Sequence, residues 1–531
     1  MSEALFMPLS LPLLLGLAVV GAVLVAPLRA GALPRAFTLG LMALMLLLAG
    51  TVFLAFDGAD APGRHALDLA WMPALGIRLH FAVDGLNVYL LLLTTLLFPV
   101  VLACSWQRAE AQSPLYLSLL LALQAGLLGT FLAQDLVLFF VCWEAVLIPM
   151  VLLLLVYGGA ERRRAALGFF LYTMAGSVLF LAAVIVLGVV QHRQTGNWSF
   201  DIATLAALRL GGRTQLFVFG AIVLACAVKS PLFPFHSWLP LAYGEASPAG
   251  TALMAGVMSK MGAYGLLKLA LPLAPDAAQR LAPLMVALAA VSIVYGAVLA
   301  LRQTNYKQLV AYASLSHMGY IVLGVFSFQA TALHGVMFQI LSHGVAVAGI
   351  FLLLGLLEER RGPVWLQLDA LATRAPRLAV VLMLFVLASL ALPLSSGFTA
   401  EFLILLGAFT QGLAAWAAGA GAGLLVAALA ASLGVVLGAT YMLRLARVLV
   451  FGDAGPPAAR VPLADLGARE MAALALPLAL ILWVGIWPAS LMPKTEAALA
   501  PLVAIGARAV PGRTPAAPRT AAAVPAAGVP R

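Results

Sequence analysis

Long apolar runs constrain the fold of this chain more than any other feature of its sequence. A transmembrane helix needs about 20 mostly apolar residues, and we find about fourteen such stretches. They are residues 5–27, 36–56, 84–105, 114–132, 135–156, 166–190, 214–239, 247–270, 281–301, 307–327, 332–357, 378–411, 418–449 and 471–492. The runs are continuous and rich in Leu and Ala, whereas the strands of a membrane barrel alternate over about ten residues. The sequence therefore predicts an all-α polytopic membrane protein with about fourteen transmembrane helices.

The scarcity of charge excludes a soluble enzyme. Only 9% of the 531 residues are charged, whereas a soluble domain carries about 25%. Lys and Arg concentrate in the odd-numbered loops between the predicted helices, which the positive-inside rule assigns to the cytoplasm. This distribution accounts for the net charge of +10, so no nucleic acid partner is needed. We expect a multi-pass protein of the bacterial inner membrane, with both termini on the outer, periplasmic side.

Cysteine spacing argues against a redox or metal centre on this chain. Cys104, Cys142 and Cys226 lie in separate apolar runs, without the close spacing of zinc or iron–sulfur ligands. The sequence also lacks a Gly-rich phosphate-binding turn. We expect three core cysteines and neither a metal nor a cofactor on this chain.

Ionisable residues deep in the apolar runs are the candidate functional groups, because each costs a few kcal/mol in a membrane. Glu144 follows Asp135 by nine residues, which is about 13 Å of helix. Lys229, Lys260 and Glu401 are equally far from loops. The structural alternatives are a neutral Glu144 bonded to a backbone carbonyl and a Lys229 that caps freed carbonyls.

Prolines predict that two of the helices are broken. Pro231 and Pro234 follow Lys229, and Pro393 precedes Glu401; each proline removes a backbone donor. Broken helices at membrane depth line cavities or ion pathways, and breaks at matching positions in two halves indicate an inverted repeat. The predicted units are the N-terminal helices 1–113, the repeats 114–270 and 281–449, a last helix at 471–492 and a disordered Ala/Pro-rich tail at 498–531.

Other titratable residues are ambiguous. His317 and His343 lie in the middle of apolar runs, where a histidine is as compatible with packing as with proton transfer. His334 precedes His343 by nine residues and falls on the opposite helix face. Lys268 is near the end of its run and is predicted to extend toward the membrane surface. An alternation of acid, amine and imidazole suits protons, which need titratable groups and water but no substrate pocket.

Several segments resemble the antiporter-like membrane subunits of respiratory complex I. They are HFAVDGLNVYLLLL, WEAVLIPM, VKSPLFPFHSWLP, SKMGAYGLLK, NYKQLVAYASLSHMGY, ILSHG and SGFTAEFLIL, within residues 80–490. The resemblance implies fourteen helices with two inverted five-helix repeats, each with a Pro-broken helix. It also implies a proton-translocating part of NADH:quinone oxidoreductase. Glu401 resembles the M type of this family, because the L and N types usually have Lys there.

The resemblance also implies roles for individual residues. Glu144 resembles the acid that pairs with the broken-helix lysine, Lys229, and Lys260 resembles the central proton carrier. His317 and His343 resemble histidines of the connecting polar axis, and Glu401 resembles the residue that exchanges protons with the outer side. Relatives commonly read WLPDAH where this chain reads WLPLAY. Leu241 and Tyr243 thus replace an acid and a histidine, and Glu245 is a possible substitute for the acid.

By the same resemblance, NADH, FMN, iron–sulfur clusters and quinone belong to other subunits of the complex. The expected partners are the other membrane subunits, especially the L and N chains, together with the lipid bilayer. Two alternatives remain open. The first is a subunit of a multi-chain Na⁺/H⁺ antiporter or a membrane-bound hydrogenase, and the second is a purely structural scaffold.

Overall fold

The computed structural model describes residues 3–58, 65–362, 370–452 and 463–507. The α-helices are Glu3–Val25, Ala32–Ala55, Val88–Cys104, Pro114–Leu132, Leu136–Ala145, Leu147–Tyr157, Arg162–Thr195, Ile202–Ala206, Gly212–Lys229, Leu239–Glu245, Pro248–Leu253, Lys260–Gly265, Leu271–Leu273, Pro275–Arg302, Tyr306–Phe326, Ala330–Arg361, Leu371–Arg374, Pro376–Ser389, Ser396–Ala417, Gly423–Leu449, Ala468–Ile486 and Pro493–Ala507. Short 3₁₀ turns lie at Pro73–Leu75, Glu110–Gln112 and Pro488–Ser490, and π-helical turns at Met254–Met258 and Leu266–Ala270.

The helices have the length and surface of membrane spans. Within the described ranges, 11 helices are long and apolar enough to cross a membrane, and three shorter apolar helices accompany them. Large apolar side chains such as Leu54, Leu171 and Val426 are mostly exposed, which is the surface expected against lipid. The all-α polytopic class is confirmed, while the inverted repeat stays a prediction.

Two helices form the centre of the bundle. The apolar window of Ala330–Arg361 is 100% buried and that of Tyr306–Phe326 is 94% buried. They carry His343 and His317 respectively. Because protein surrounds both helices, their polar side chains are kept away from lipid, which makes titratable groups at this depth tolerable.

Both predicted helix breaks are present in the structure. One helix ends at Lys229 and the chain resumes helical form at Leu239. The freed Val228 carbonyl accepts a hydrogen bond from Trp238 Nε1 at 3.1 Å. The second interruption separates Pro376–Ser389 from Ser396–Ala417.

The second break has an unusual backbone. Ala391 and Leu394 have φ values of 55° and 74°, in the left-handed region that costs energy for residues with a Cβ. Such strain persists only where the surrounding structure enforces it, so the packing at this break must hold the two residues in place.

A small hairpin and a C-terminal helix cover one face of the bundle, which we call the hairpin face. Strands Ala66–Met72 and Ile77–Ala82 pair antiparallel, and helix Pro493–Ala507 packs beside them along the cavity described below. The prediction of disorder from residue 498 is therefore wrong for residues 498–507. Thr495, Leu499, Leu502 and Ile505 are buried at helical spacing, a pattern that the Ala/Pro-rich composition obscured. Residues 508–531 of the predicted tail lie outside the described residues.

Candidate proton-transfer axis

Lys260 is the most deeply buried cation of the site. Its Nζ lies 2.7 Å from the Ala255 carbonyl, 3.1 Å from Ser259 Oγ and 2.7 Å from His343 Nδ1. Relative exposure of the residue is 0%. Lys260 begins a helical segment directly after the Met254–Met258 π-turn. A π-turn inserts one residue and so rotates the side chains that follow, a feature often found at functional sites. This turn was not predicted from the sequence.

His317 and Glu401 continue the cluster on the other side of His343. The two imidazole rings are 5.2 Å apart between centroids. His317 Nδ1 lies 2.9 Å from Glu401 Oε1, and Ser389 Oγ lies 3.4 Å from His317 Nε2. The structure thus brings four of the predicted residues together, and both histidines contact polar side chains.

Gln339 is a member of this cluster that sequence reasoning missed. Its Nε2 lies 3.3 Å from Glu401 Oε1 and 3.5 Å from His317 Nδ1, and the residue is 1% exposed. Gln339 precedes His343 by four residues, which places both on one helix face. That spacing could have identified it. We refer to Lys260, His343, His317, Gln339 and Glu401 as the buried axis.

Two small cavities flank the buried axis. Each has a volume of about 10 Å³, close to the roughly 10–15 Å³ that one water requires. One is lined by Tyr320 and Tyr441 beside Glu401, and the other lies among Gln339, Ser342 and His343. Among the described residues, the buried atoms His343 Nε2 and Gln339 Oε1 have no hydrogen-bond partner. The second cavity can therefore accommodate a water that links the two histidines.

Lys229 stands apart from the buried axis. Its Nζ lies 3.4 Å from the Trp143 carbonyl and 5.1 Å from the centroid of the Trp143 ring. Glu144 is the next residue in the chain, but the described residues include no carboxylate within 4.0 Å of Lys229. Glu144 Oε1 is buried without a partner in the described part of the chain. The predicted pair is thus adjacent but not in contact, and Lys229 caps a carbonyl of another helix.

Serines connect the first break to the segment that carries Lys260. Ser230 Oγ donates to the Ser259 carbonyl and accepts from the Ala263 amide at 3.0 Å. The two lysines themselves share no hydrogen bond. Tyr243, which replaces the family's usual histidine, is fully buried, and its ring packs edge-on against Phe351 at 5.7 Å between centroids.

The remaining predicted polar residues lie outside the axis. His334 Nδ1 lies 3.1 Å from Thr495 Oγ1, on the opposite side of its helix from His343 as predicted. Glu245 accepts from the Glu161 amide at 2.8 Å. Lys268 Nζ donates to Asp84 and Gln134, and its extension toward the membrane surface stays a prediction.

The described ranges contain no group of three or more His, Cys, Asp or Glu side chains that could bind a metal ion. All three cysteines are unpaired, with Cys104 and Cys226 buried and Cys142 half-buried. The chemistry that the site can perform is proton transfer among amine, imidazole and carboxylate groups.

Comparison with known proteins agrees with this geometry. The family model described as NADH:quinone oxidoreductase/Mrp antiporter, transmembrane, matches residues 133–425, which include all six predicted proton-transfer residues. The chain belongs to this family. The match covers both helix breaks and the whole buried axis.

Similar proteins cover almost the entire chain. NADH-quinone oxidoreductase subunit M of Rhodobacter capsulatus is 37% identical over 452 residues, covering 84% of this chain and 84% of the relative. A chain in respiratory complex I from Thermus thermophilus is 34% identical with a TM-score of 0.82, covering 93% of this chain and 99% of that one. A chain of the Mrp complex from Dietzia sp. has a TM-score of 0.79 at 23% identity, which shows the shared fold alone.

Proposed function

We propose that this protein is a proton-translocating membrane-arm subunit of an NADH:quinone oxidoreductase. The observation that carries the proposal is the buried axis, in which an amine, two imidazoles and a carboxylate lie within hydrogen-bond or single-water reach of one another. The similarity to subunit M of relatives supports the assignment to complex I. Electron transfer takes place elsewhere in the complex.

The axis moves a proton by successive exchanges. Protonated Lys260 donates to His343 Nδ1, which lies 2.7 Å from Nζ. His343 passes a proton from its other ring nitrogen through a water to His317. Glu401 Oε1 accepts from His317 Nδ1 at 2.9 Å and then releases its proton to the outer side. Lys260 is reprotonated from the Lys229 side, and the two imidazoles return to their starting tautomers. Chain transfer of this kind requires no substrate pocket and no redox group.

Glu144 and Lys229 act as the control element. A carboxylate close to the amine favours charged Lys229, and withdrawal of that charge favours release of its proton toward Lys260. Because the two side chains are not in contact, a small movement at the break changes their interaction. The protonation states belong to the coupled network, not to single residues.

The assembly follows from the proposed role. NADH, FMN, iron–sulfur clusters and quinone would be held by other subunits, and the L and N chains would be the neighbours in the membrane arm. Ala145 and Ile148, which flank the Glu144 region, are exposed. This exposure suits a neighbouring chain that acts on Glu144. The basic loops support an arrangement with both termini on the outer side of the bacterial inner membrane.

The test is proton pumping in inverted membrane vesicles that contain the assembled complex. Lys260→Ala and Glu401→Gln should reduce NADH-driven pumping severalfold, because each removes a link of the axis. Lys307→Ala is a matched control, since Lys307 is also buried but pairs with Glu358 at 2.6 Å outside the axis; it should retain pumping. Unchanged pumping in both axis variants would refute the proposal.

The alternative function, a subunit of an Na⁺/H⁺ antiporter, can be distinguished from complex I by its dependence on Na⁺. Glu401 in place of the usual lysine weighs against it. Sodium-dependent proton exchange by the chain in vesicles without NADH would favour an Na⁺/H⁺ antiporter subunit, whereas pumping that needs NADH and ignores Na⁺ favours complex I.

A further inference from the structure

A cavity of about 520 Å³ opens on the hairpin face. Its walls come from the hairpin, the loops around Asp84 and Asp201 and the helix Pro493–Ala507. Polar groups line it, including His80, Gln134 and Lys268. Charged and polar walls of this kind admit water. The loop charges predict that this face is the outer one.

Lys268 forms the floor of this cavity. Its Nζ donates to Asp84 Oδ2 and to Gln134 Oε1, each at 2.7 Å. Lys268 follows Lys260 by two helical turns, a distance of about 12 Å. The cavity therefore meets the same helical segment as the central carrier of the buried axis, at Leu267 and Lys268.

Tyr264 lies between the two lysines. It is fully buried, and its ring packs against Phe131 at 5.6 Å and Phe139 at 6.2 Å between centroids. Its neighbours Ala263 and Leu267 are also buried. The intervening residues 261–267 contain no other polar side chain.

The hydrogen bond of Tyr264 makes it unsuitable as a proton relay. Its hydroxyl donates to the Phe131 carbonyl at 2.8 Å, and Asn87 Nδ2 donates to the same oxygen at 3.0 Å. Phe131 is in the last turn of its helix, where carbonyls lack a helical partner. The Tyr264 hydroxyl proton and the Asn87 amide are thus committed to a carbonyl that cannot pass a proton on.

We propose that Tyr264 is a proton seal, which separates Lys260 from the water of the hairpin-face cavity. This inference rests on the proposed function. Without the seal, Lys260 exchanges protons directly with one aqueous side, and the gradient discharges through the chain. With it, a proton on Lys260 leaves through His343.

Tyr264→Ala in the assembled complex tests the seal. De-energised vesicles should become severalfold more permeable to protons, and NADH oxidation should lose its stimulation by an uncoupler. Tyr116→Ala is the matched control, because Tyr116 is also fully buried but lies in the first turn of its helix; these vesicles should stay tight. A tight Tyr264→Ala membrane, or an equal leak in both variants, overturns the proposal.

A double variant identifies the route of the leak. Combining Tyr264→Ala with Lys260→Ala should abolish the excess permeability, because the leak passes through Lys260. A leak that persists refutes a seal for Lys260. The proposed function fails by a different result, namely normal pumping in Lys260→Ala alone.

Single cysteine substitutions give a second measurement that does not require removal of Tyr264. Lys268→Cys should react with a water-soluble maleimide in the purified complex, whereas Ala263→Cys, on the far side of the seal, should not. Labelling of the unsubstituted complex, which contains the native cysteines, gives the background signal. Equal labelling at both positions would show that water passes Tyr264 and would overturn the seal.

Discussion

Lys260 Nζ and His343 Nδ1 lie 2.7 Å apart, although 83 residues separate them in the chain. The contact joins the segment after the first helix break to the central helix Ala330–Arg361. In the proposed mechanism it is the point at which the two predicted repeats exchange a proton.

His343→Leu should reduce NADH-driven pumping at least tenfold, since it removes the acceptor for the Lys260 proton. His334→Leu is the control on the same helix, because His334 bonds Thr495 instead, and it should pump normally. Vesicle acidification at matched complex content measures both. Similar activity in the two variants would contradict the role of the Lys260–His343 contact.

Gln339→Met should slow pumping while leaving assembly intact. The substitution keeps the volume but removes the donor that holds Glu401 Oε1. A hydrogen bond to a charged group contributes about 1.5–3 kcal/mol, so the rate should fall by about 10- to 100-fold. A positioning role also predicts a displaced pH–rate profile; a profile and rate equal to wild type would rule this out.

Gly262→Ala should destabilise the assembled chain. A Cβ at this position would collide with the Cys226 carbonyl oxygen and would lie 2.5 Å from Ser230 Oγ. Overpacking of this kind costs about 1–3 kcal/mol, and it would push the Lys260 segment away from the broken helix. Gly220 lies in the broken helix Gly212–Lys229, and a Cβ there would have no atom within 4 Å. Gly220→Ala should therefore be neutral or stabilising. Thermal denaturation in detergent compares the two.

Asp201 should make the hairpin face sensitive to acid. His80, whose Nδ1 lies 3.6 Å from Asp201 Oδ2, lowers the pKa of Asp201 from 3.8 to about 2, and Thr204 assists this against the opposing effect of burial. A lowered folded pKa means that the stabilisation is present above pH 4 and is lost as the pH falls from about 4 to about 2. Asp201→Asn should remove at most about 1 kcal/mol at pH 6 and nothing at pH 2.

Amide hydrogen exchange of the hairpin in detergent can follow this difference between pH 3 and pH 6, after correction for the intrinsic exchange rate. A variant whose protection equals that of wild type at pH 6 would show that the His80–Asp201 pair contributes nothing to the fold.

Much of the architecture was predictable because the membrane imposes a strong rule. Each apolar run must satisfy its backbone internally, so length and hydropathy locate the helices. Pro231, Pro234 and Pro393 marked the two breaks for the same local reason. The helix Pro493–Ala507 was missed because Ala and Pro dominate its sequence, and only packing against the bundle reveals its apolar face.

The candidate site divides in the same way. The cost of a charge in lipid singled out Glu144, Lys229, Lys260 and Glu401 from sequence alone. Gln339 was missed because burying a neutral amide in a membrane costs less free energy than burying a charge, so the residue does not stand out in the sequence. The roles of His317 and His343 were undecided, since one sequence cannot show which face of a helix meets another.

The sequence by itself determined that the chain spans a membrane, where its helices break and which charges lie deep within it. These properties follow from solvation and backbone chemistry, which act locally along the chain. Only the tertiary structure decided that Lys260 meets His343, that Glu144 is separated from Lys229 and that Tyr264 closes the way to the hairpin face. Such contacts depend on how distant helices pack and on the π-turn Met254–Met258 that rotates Lys260, and local residue patterns do not encode either.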